Sequence, residues 1–239
     1  MFRHMILVAI VVACCSAADW SRFRGSDGSG LATDASLPET WGAREHLAWK
    51  TPLPGYGSSS PITCGDKVFL TCYSGYGLAR QEPGQQERLV QHVLCLDRHR
   101  GELIWEKKIE PTLPETHYDA GRVNLHGYAS ATPVTDGESL YVFFGKTGVL
   151  RFDLDGQLIW KTAVGSGLDS HNWGSAASPI LFHDLVIVNA SAESQSIRAL
   201  KKSNGQEVWR FTAEGAVVFG QHDGGVLEIA EPPKPGLTI

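Results

Sequence analysis

Four tryptophans recur at nearly constant spacing, and this spacing restricts the possible fold more than any other feature of the chain. The four are Trp49, Trp105, Trp160 and Trp209. Successive members stand 56, 55 and 49 residues apart. A period of this length is typical of an array of similar structural units, each of which packs on its neighbours.

A short phrase before each of the last three tryptophans predicts a β-hairpin. A glycine stands four residues before the tryptophan in every case, and the three are Gly101, Gly156 and Gly205. Glycine adopts positive φ without a steric clash, and the Asp155-Gly156 and Asn204-Gly205 pairs favour tight hairpin turns. Each tryptophan is then expected to close its strand as a large buried apolar side chain.

A second phrase opens each unit, with small residues followed by a proline. The prolines are Pro61, Pro133 and Pro179. Because proline has no N–H for a central ladder, each is expected to begin an innermost or edge strand. An aliphatic strand follows each proline, over residues 67–73, 139–144 and 185–189.

The units therefore predict an all-β protein built from four-stranded antiparallel blades, in the manner of a β-propeller. Each unit is about 45 to 55 residues long, with no helical periodicity. The predicted blades cover residues 59–109, 129–164 and 175–213. The strands at both ends of the chain are incomplete, which predicts a partial or truncated propeller.

The first eighteen residues have the pattern of a signal peptide. Arg3 precedes an uncharged apolar run over residues 5–13, and Ser16-Ala17-Ala18 follows as a small-residue cleavage site. We expect cleavage after Ala18 and export of the protein. Two alternatives remain. In the first, Val11-Val12-Ala13-Cys14, which resembles a bacterial lipobox, directs cleavage that makes Cys14 a lipidated first residue. In the second, the segment is retained as a membrane anchor or a buried strand.

Three cysteines remain for the exported protein, namely Cys64, Cys72 and Cys95. Counting outward from the centre of the 143–149 hairpin pairs Phe144 with Leu150. When the first blade is aligned with this one by its proline and tryptophan, the equivalent positions are Cys72 and Cys95. This alignment predicts a cross-strand disulfide between them. The alternative is three buried thiols that behave as small apolar side chains.

The tryptophan phrase resembles the tryptophan-docking motif of pyrroloquinoline-quinone-like (PQQ-like) propeller repeats. The segment Trp20-Ser21-Arg22-Phe23-Arg24-Gly25 is similar to the start of a large group of secreted bacterial propellers of this type, and the segments 126–133 and 173–179 are similar to that group's blade openings. The resemblance covers residues 19 to about 213. The same repeat type occurs in the outer-membrane barrel-assembly lipoprotein.

This resemblance implies a closed ring of blades tied together by tryptophan docking. Residues 19–58 are expected to form an N-terminal extension whose Trp49 strand ends a blade completed by the C-terminal region. Residues 214–239 carry one more hairpin pattern but no docking tryptophan, so they predict a partial blade or a divergent tail. Either a small closed ring of about four blades or an open arc from a truncated propeller fits this pattern, and the open arc is favoured.

Several functional classes find no support in the sequence. The formal net charge of -5, without a Lys/Arg run, argues against a nucleic-acid partner. Gly145-Lys146-Thr147 lacks the first glycine of a phosphate loop, and Asp153-Leu154-Asp155-Gly156 lacks the later ligands of a calcium loop. We interpret both segments as turns, and we identify no catalytic residues or metal ligands.

The best candidates for a ligand-facing patch lie in the loops before two blade openings. They are His126, His171, Asn172 and Trp173. Loops in these places lie near the central channel of a propeller, so the four side chains are weak candidates for cofactor or ligand binding. The structural alternative is that they are ordinary turn and rim residues.

The residues and the resemblance together favour a non-catalytic binding or scaffold module of the cell envelope, either periplasmic or extracellular. Its partners would be envelope proteins, peptides or polysaccharide, without a cofactor and without a transmembrane span in the mature chain. The alternative is a protein related to quinoprotein dehydrogenases. The resemblance implies that such an enzyme needs a larger ring, PQQ with calcium and an adjacent-cysteine disulfide, whereas the one adjacent pair, Cys14-Cys15, falls in the predicted signal segment.

Overall fold

The computed structural model describes residues 19–32, 38–79, 81–118, 126–168 and 173–212. These residues form three four-stranded antiparallel sheets, which we call blades 1 to 3. Blade 1 contains β1 (Ile62–Cys64), β2 (Lys67–Ser74), β3 (Val90–Asp97) and β4 (Leu103–Ile109). Blade 2 contains β5 (Val134–Thr135), β6 (Ser139–Phe143), β7 (Val149–Asp153) and β8 (Leu158–Thr162). Blade 3 contains β9 (Ile180–Phe182), β10 (Leu185–Ala190), β11 (Ser196–Lys201) and β12 (Glu207–Thr212).

In each blade the strands lie in the order in which they occur in the chain, so each blade is a simple meander. This arrangement confirms the all-β fold of four-stranded blades. The only α-helix in the described ranges is α1 (Ser191–Ser194), and no helix there is long and apolar enough to cross a membrane. The predictions for residues 1–18, including Cys14, and for residues 214–239 lie outside the described residues, as do His171 and Asn172.

Each blade begins with the predicted proline at its edge. Pro61, Pro133 and Pro179 stand immediately before β1, β5 and β9, the first strand of each sheet. A proline in this place interrupts no ladder between two strands, which is why the phrase is tolerated in all three blades. The edge-strand position predicted from the sequence is therefore confirmed.

The glycine of each phrase lies in the turn between the third and fourth strands, and the backbone conformation of that turn explains why glycine is used there. Gly101 has φ +69°, and Asp97 Oδ1 accepts hydrogen bonds from the main-chain N–H groups of His99 and Arg100. Gly156 and Gly205 also have positive φ, at +85° and +71°. The aspartate thus closes the first half of the blade 1 turn, and the glycine supplies the left-handed residue that completes it.

The tryptophans connect successive blades, because each indole docks onto the glycine turn of the next unit. The Nε1–H of Trp49 donates to the carbonyl oxygen of Arg98 at 2.9 Å. The Trp105 indole donates to Leu154 at 3.1 Å. The Trp160 indole donates to Lys202 at 2.8 Å. The tryptophan period is therefore a period of contacts between blades.

Apolar side chains fill the spaces between neighbouring blades. In β6 the alternating side chains serve two cores, because Leu140 and Val142 pack in the cluster shared with blade 1, whereas Tyr141 and Phe143 pack in the cluster shared with blade 3. All five residues of β6 are buried. The described part of the chain is thus a row of blades with one core between blades 1 and 2 and another between blades 2 and 3.

The predicted hairpin register and the disulfide inferred from it are wrong. Leu150 pairs with Val142 rather than with Phe144. In blade 1, Cys72 pairs with His92, and Cys95 pairs with Phe69. Because side chains alternate across a strand, this register places Cys72 and Cys95 on opposite faces of the sheet.

All three thiols, those of Cys64, Cys72 and Cys95, are unpaired in the structure. Burial raises the pKa of Cys72 to about 11 and that of Cys95 to about 12. Both are therefore neutral thiols at ordinary pH, and they serve as small apolar core residues.

The N-terminal extension packs along the edges of the blades. The main-chain N–H of Thr63 donates to the carbonyl of Trp20, and the N–H of Thr135 donates to the carbonyl of Ser21. Tyr56 forms an isolated antiparallel bridge with Tyr73 at the end of β2. Residues near Trp49 lie outside the named strands, and the docked indole and the Thr51 hydroxyl, which donates to the carbonyl of Gly101, attach that segment to blade 1.

Candidate functional site

The strand order places two kinds of loop at the same end of every blade. The connection from the second to the third strand and the connection from the fourth strand to the next blade both leave from this end, because neighbouring strands are antiparallel. We call this end the loop face. In the described residues it includes the 110–118 segment, the turn 144–148 and α1.

The structure brings His126 and Trp173, two of the four predicted ligand-facing residues, together on the loop face. The Nε2 atom of His126 contacts the carbonyl oxygen of Trp173, and the Nδ1 atom lies 2.6 Å from the hydroxyl of Ser130. A carbonyl accepts only, so Nε2 carries a hydrogen, while the Ser130 hydroxyl donates to the carbonyl oxygen of His126 itself at 2.9 Å. His126 therefore links the loop before blade 2 to the loop before blade 3.

Trp173 retains an exposed surface although its main chain is held by His126. Its relative exposure is 41%, which is large for a tryptophan of a folded domain. Whether this residue binds a ligand stays a prediction. The geometry shows that its main chain is held by His126 of the loop before blade 2.

A cluster of buried and partly buried charged residues lies beside these loops, and no sequence pattern predicted it. Lys146 is buried in the turn between β6 and β7, and its Nζ donates to the carbonyl oxygen of Pro114. Glu193 is buried in α1 of blade 3, and Glu115 lies in the 110–118 segment. The cluster thus joins the loops of two blades and the connection between blades 1 and 2.

Burial controls the electrostatics of this cluster. Loss of solvation raises the pKa of Glu115 to about 7, while the positive charge of Lys146 opposes the rise and the negative charge of Glu193 adds to it. Glu115 therefore exchanges a proton near neutral pH. Nothing in the local sequence signals this behaviour, because the three charged residues are far apart in the chain and each would be ordinary on a solvated loop.

A small polar cavity opens between the blades under the same loops. Its volume is about 20 Å³, and its lining includes Gln91, Glu115 and Ser175. Gln91 is 1% exposed and its amide donates to the carbonyl of Tyr128 at 3.2 Å, while its Oε1 has no hydrogen-bond partner among the described residues. A volume of this size suits one or two waters.

The described residues contain no cluster of three or more His, Cys, Asp or Glu side chains arranged to hold a metal ion. The calcium-like segment is a turn in which Asp153 Oδ1 accepts from the N–H groups of Asp155 and Gln157, so this carboxylate already serves the backbone.

The fold and the loop face together define a class of protein: a β-propeller whose blades are tied by tryptophan docking and whose loop face carries polar, partly exposed residues. The family model described as "Outer membrane protein assembly factor BamB" matches residues 89–227, which is more than half of the chain. The chain therefore belongs to this family of PQQ-like repeat proteins. The resemblance deduced from the tryptophan and proline phrases is confirmed.

The solved structures to which the chain is similar include proteins of two kinds. BamB from Moraxella catarrhalis is 15% identical with a TM-score of 0.44, and the match covers 69% of this chain and 39% of that chain. Quinohemoprotein alcohol dehydrogenase from Comamonas testosteroni is 15% identical with a TM-score of 0.43, and the match covers 66% of this chain and 21% of that chain. The chain thus matches well under half the length of either protein. No curated protein matches the sequence significantly.

Proposed function

We propose that this protein is a non-catalytic binding or scaffold module of the cell envelope, exported by means of residues 1–18. The observation that carries the proposal is the loop face itself, on which His126 joins the loops before two blades and Trp173 is exposed. A partner therefore binds on the surface, where Trp173 offers an exposed aromatic side chain. The family description, which refers to outer membrane protein assembly, supports an envelope protein or peptide as that partner.

The blades are suited to presenting such a surface. The three docked indoles and the two cores between blades restrict relative movement of the sheets. A surface on rigid elements loses little conformational entropy when a partner binds. Polysaccharide is a second possible partner class, because exposed aromatic rings also pack on sugar rings.

The binding role is tested by crosslinking the exported protein to its partners in intact cells and comparing Trp173→Ala with Trp41→Ala. Trp41 is 66% exposed in the N-terminal extension, so its variant controls for the general loss of an exposed indole. We expect Trp173→Ala to lower the yield of the crosslinked complex about tenfold, as for an interface residue that contributes about 1.4 kcal/mol. An equal yield from both variants would count against the loop face as the binding surface.

The export and cofactor parts of the proposal have separate tests. Mass spectrometry of the protein from cells is expected to find Asp19 as the first residue, whereas a lipidated Cys14 would show the alternative processing. Titration with PQQ, followed by absorbance, is expected to show no stoichiometric uptake. Tight uptake with dye-linked oxidation of an alcohol or sugar would support the dehydrogenase-related alternative instead.

A further inference from the structure

Trp209 is the fourth member of the tryptophan series, and its indole differs from the other three. Trp49, Trp105 and Trp160 each donate their Nε1–H to a main-chain carbonyl of the next turn. The Nε1 atom of Trp209 is also buried, yet it has no acceptor among the described residues. A buried N–H without an acceptor costs about 1–3 kcal/mol, so the donor position calls for a carbonyl group.

The sheet face around Trp209 is apolar and lacks the neighbour that the other blades have. Blades 1 and 2 share a core cluster, as do blades 2 and 3. The third cluster, which contains Ile187, Ala199 and Trp209, consists of blade 3 residues alone. Phe211 lies two residues after Trp209 on the same side of β12 and is 52% exposed. We call this surface the outer face of blade 3.

The docking geometry shows what an occupant of this face must provide. At each occupied site, a turn offers a main-chain carbonyl to the indole, and a glycine leaves room for the ring. At Gly205, for example, an added Cβ would lie 2.7 Å from the ring of Trp160. The occupant therefore needs a glycine-containing turn with a free carbonyl, together with apolar side chains that cover Phe211.

A second copy of the chain does not offer this turn in its described residues. The three turns of this kind, which contain Gly101, Gly156 and Gly205, are already covered by tryptophans of the same chain. A second copy would have to displace one of these tryptophans. Each displacement would break an indole hydrogen bond in order to form one, so it provides no net gain in hydrogen bonding.

We propose that residues 213–239 of this chain occupy the outer face of blade 3 and supply the carbonyl acceptor of the Trp209 indole. This segment continues directly from β12, so its docking is intramolecular and is favoured by a high effective concentration. Its sequence contains apolar residues suited to the face, including Val226, Leu227 and Ile229, followed by Gly236. The same order of an apolar run and then a glycine occurs in the three docked turns.

The first test places a photocrosslinker on the face in the full chain, as Phe211→p-benzoylphenylalanine. The matched control is Arg210→p-benzoylphenylalanine, since the Arg210 side chain is similarly exposed, at 46%, but points to the other side of β12. After irradiation, we expect the Phe211 variant to form crosslinks within one chain to residues 217–239, at several times the yield of the control. Crosslinked dimers, or equal yields from the two positions, would overturn the proposal.

The second test uses the sign of a stability change. Trp209→Phe removes the indole N–H of the fourth tryptophan. Trp160→Phe is the reference, because it removes an indole N–H that donates to the carbonyl of Lys202. If residues 213–239 provide an acceptor, both variants lower the Tm, each by about 2–4 °C for a loss of the order of one hydrogen bond. If the Trp209 donor is unpaired in solution, its removal instead raises the Tm, and the proposal fails.

Discussion

The contact between a docked tryptophan and its glycine turn leads to a quantitative prediction for Gly101→Ala. Gly101 has φ +69°, and a Cβ added there would lie 2.3 Å from the ring of Trp49 and 2.8 Å from Oγ1 of Thr51. The left-handed backbone alone costs an alanine about 1–2 kcal/mol. Displacement of the ring adds about 1–3 kcal/mol, as for overpacking of a core. We therefore expect the free energy of unfolding to fall by about 2–5 kcal/mol in total.

Gly65→Ala is a matched control that separates the two contributions. Gly65 also has positive φ, at +55°, but no atom lies within 4 Å of an added Cβ. We expect this variant to lose only the backbone contribution of about 1–2 kcal/mol. Urea denaturation followed by far-UV circular dichroism measures both losses, provided that the m-values are unchanged.

A double-mutant cycle with Trp49→Ala tests the physical cause directly. When the ring is absent, Gly101→Ala no longer displaces it, so its cost should approach that of Gly65→Ala. Losses for Gly101→Ala and Gly65→Ala that agree within about 0.5 kcal/mol in the otherwise unmodified chain would refute the docking contact as a source of stability.

Further predictions concern the buried ionisable groups and the cysteines. Because the folded-state pKa of Glu115 is raised from 4.5 to about 7, the folded protein retains a proton that the unfolded chain releases, so stability should fall as pH rises through this window and stay low above it. The fall should amount to at most about 3 kcal/mol, and thermal melts at several pH values should show that Glu115→Gln removes it. Cys72 and Cys95 should resist alkylation by iodoacetamide at pH 8 until the protein is unfolded, because burial raises the pKa of both thiols; rapid labelling of the native protein, measured by peptide mass spectrometry, would contradict their burial. Thr162→Val should lower the free energy of unfolding by about 1 kcal/mol in urea denaturation, because its hydroxyl donates to the carbonyl of Gly205 at 2.8 Å; an unchanged midpoint would show that this bond adds nothing to the docked turn.

The error in the disulfide prediction has two identifiable sources. In the β6–β7 hairpin, the partner of Leu150 is Val142, two residues before the predicted Phe144. The transfer to blade 1 then adds one more residue, because residues 98–102 separate β3 from β4, whereas only residues 154–157 separate β7 from β8. The combined shift is odd, and an odd shift moves a side chain to the other face of the sheet.

The candidate site could be predicted only in part. The loops before the blade openings were identified from the repeat, and the structure indeed joins His126 to Trp173 there. The partly buried Glu115 and the buried Lys146 and Glu193 could not be recognised in the same way. Charged residues are common in turns, and no local pattern distinguishes a side chain that points to solvent from one that points between blades.

The sequence alone determined the kind of fold, because its information is local and repeated. Tryptophan spacing, glycine turns and prolines at strand openings act within one hairpin or between adjacent units, so they can be read along the chain. Tertiary structure alone decided the strand register, the opposite faces of Cys72 and Cys95, and the burial of Glu115. These properties depend on turn lengths and on contacts between residues distant in sequence, where one additional residue reverses the direction of a side chain.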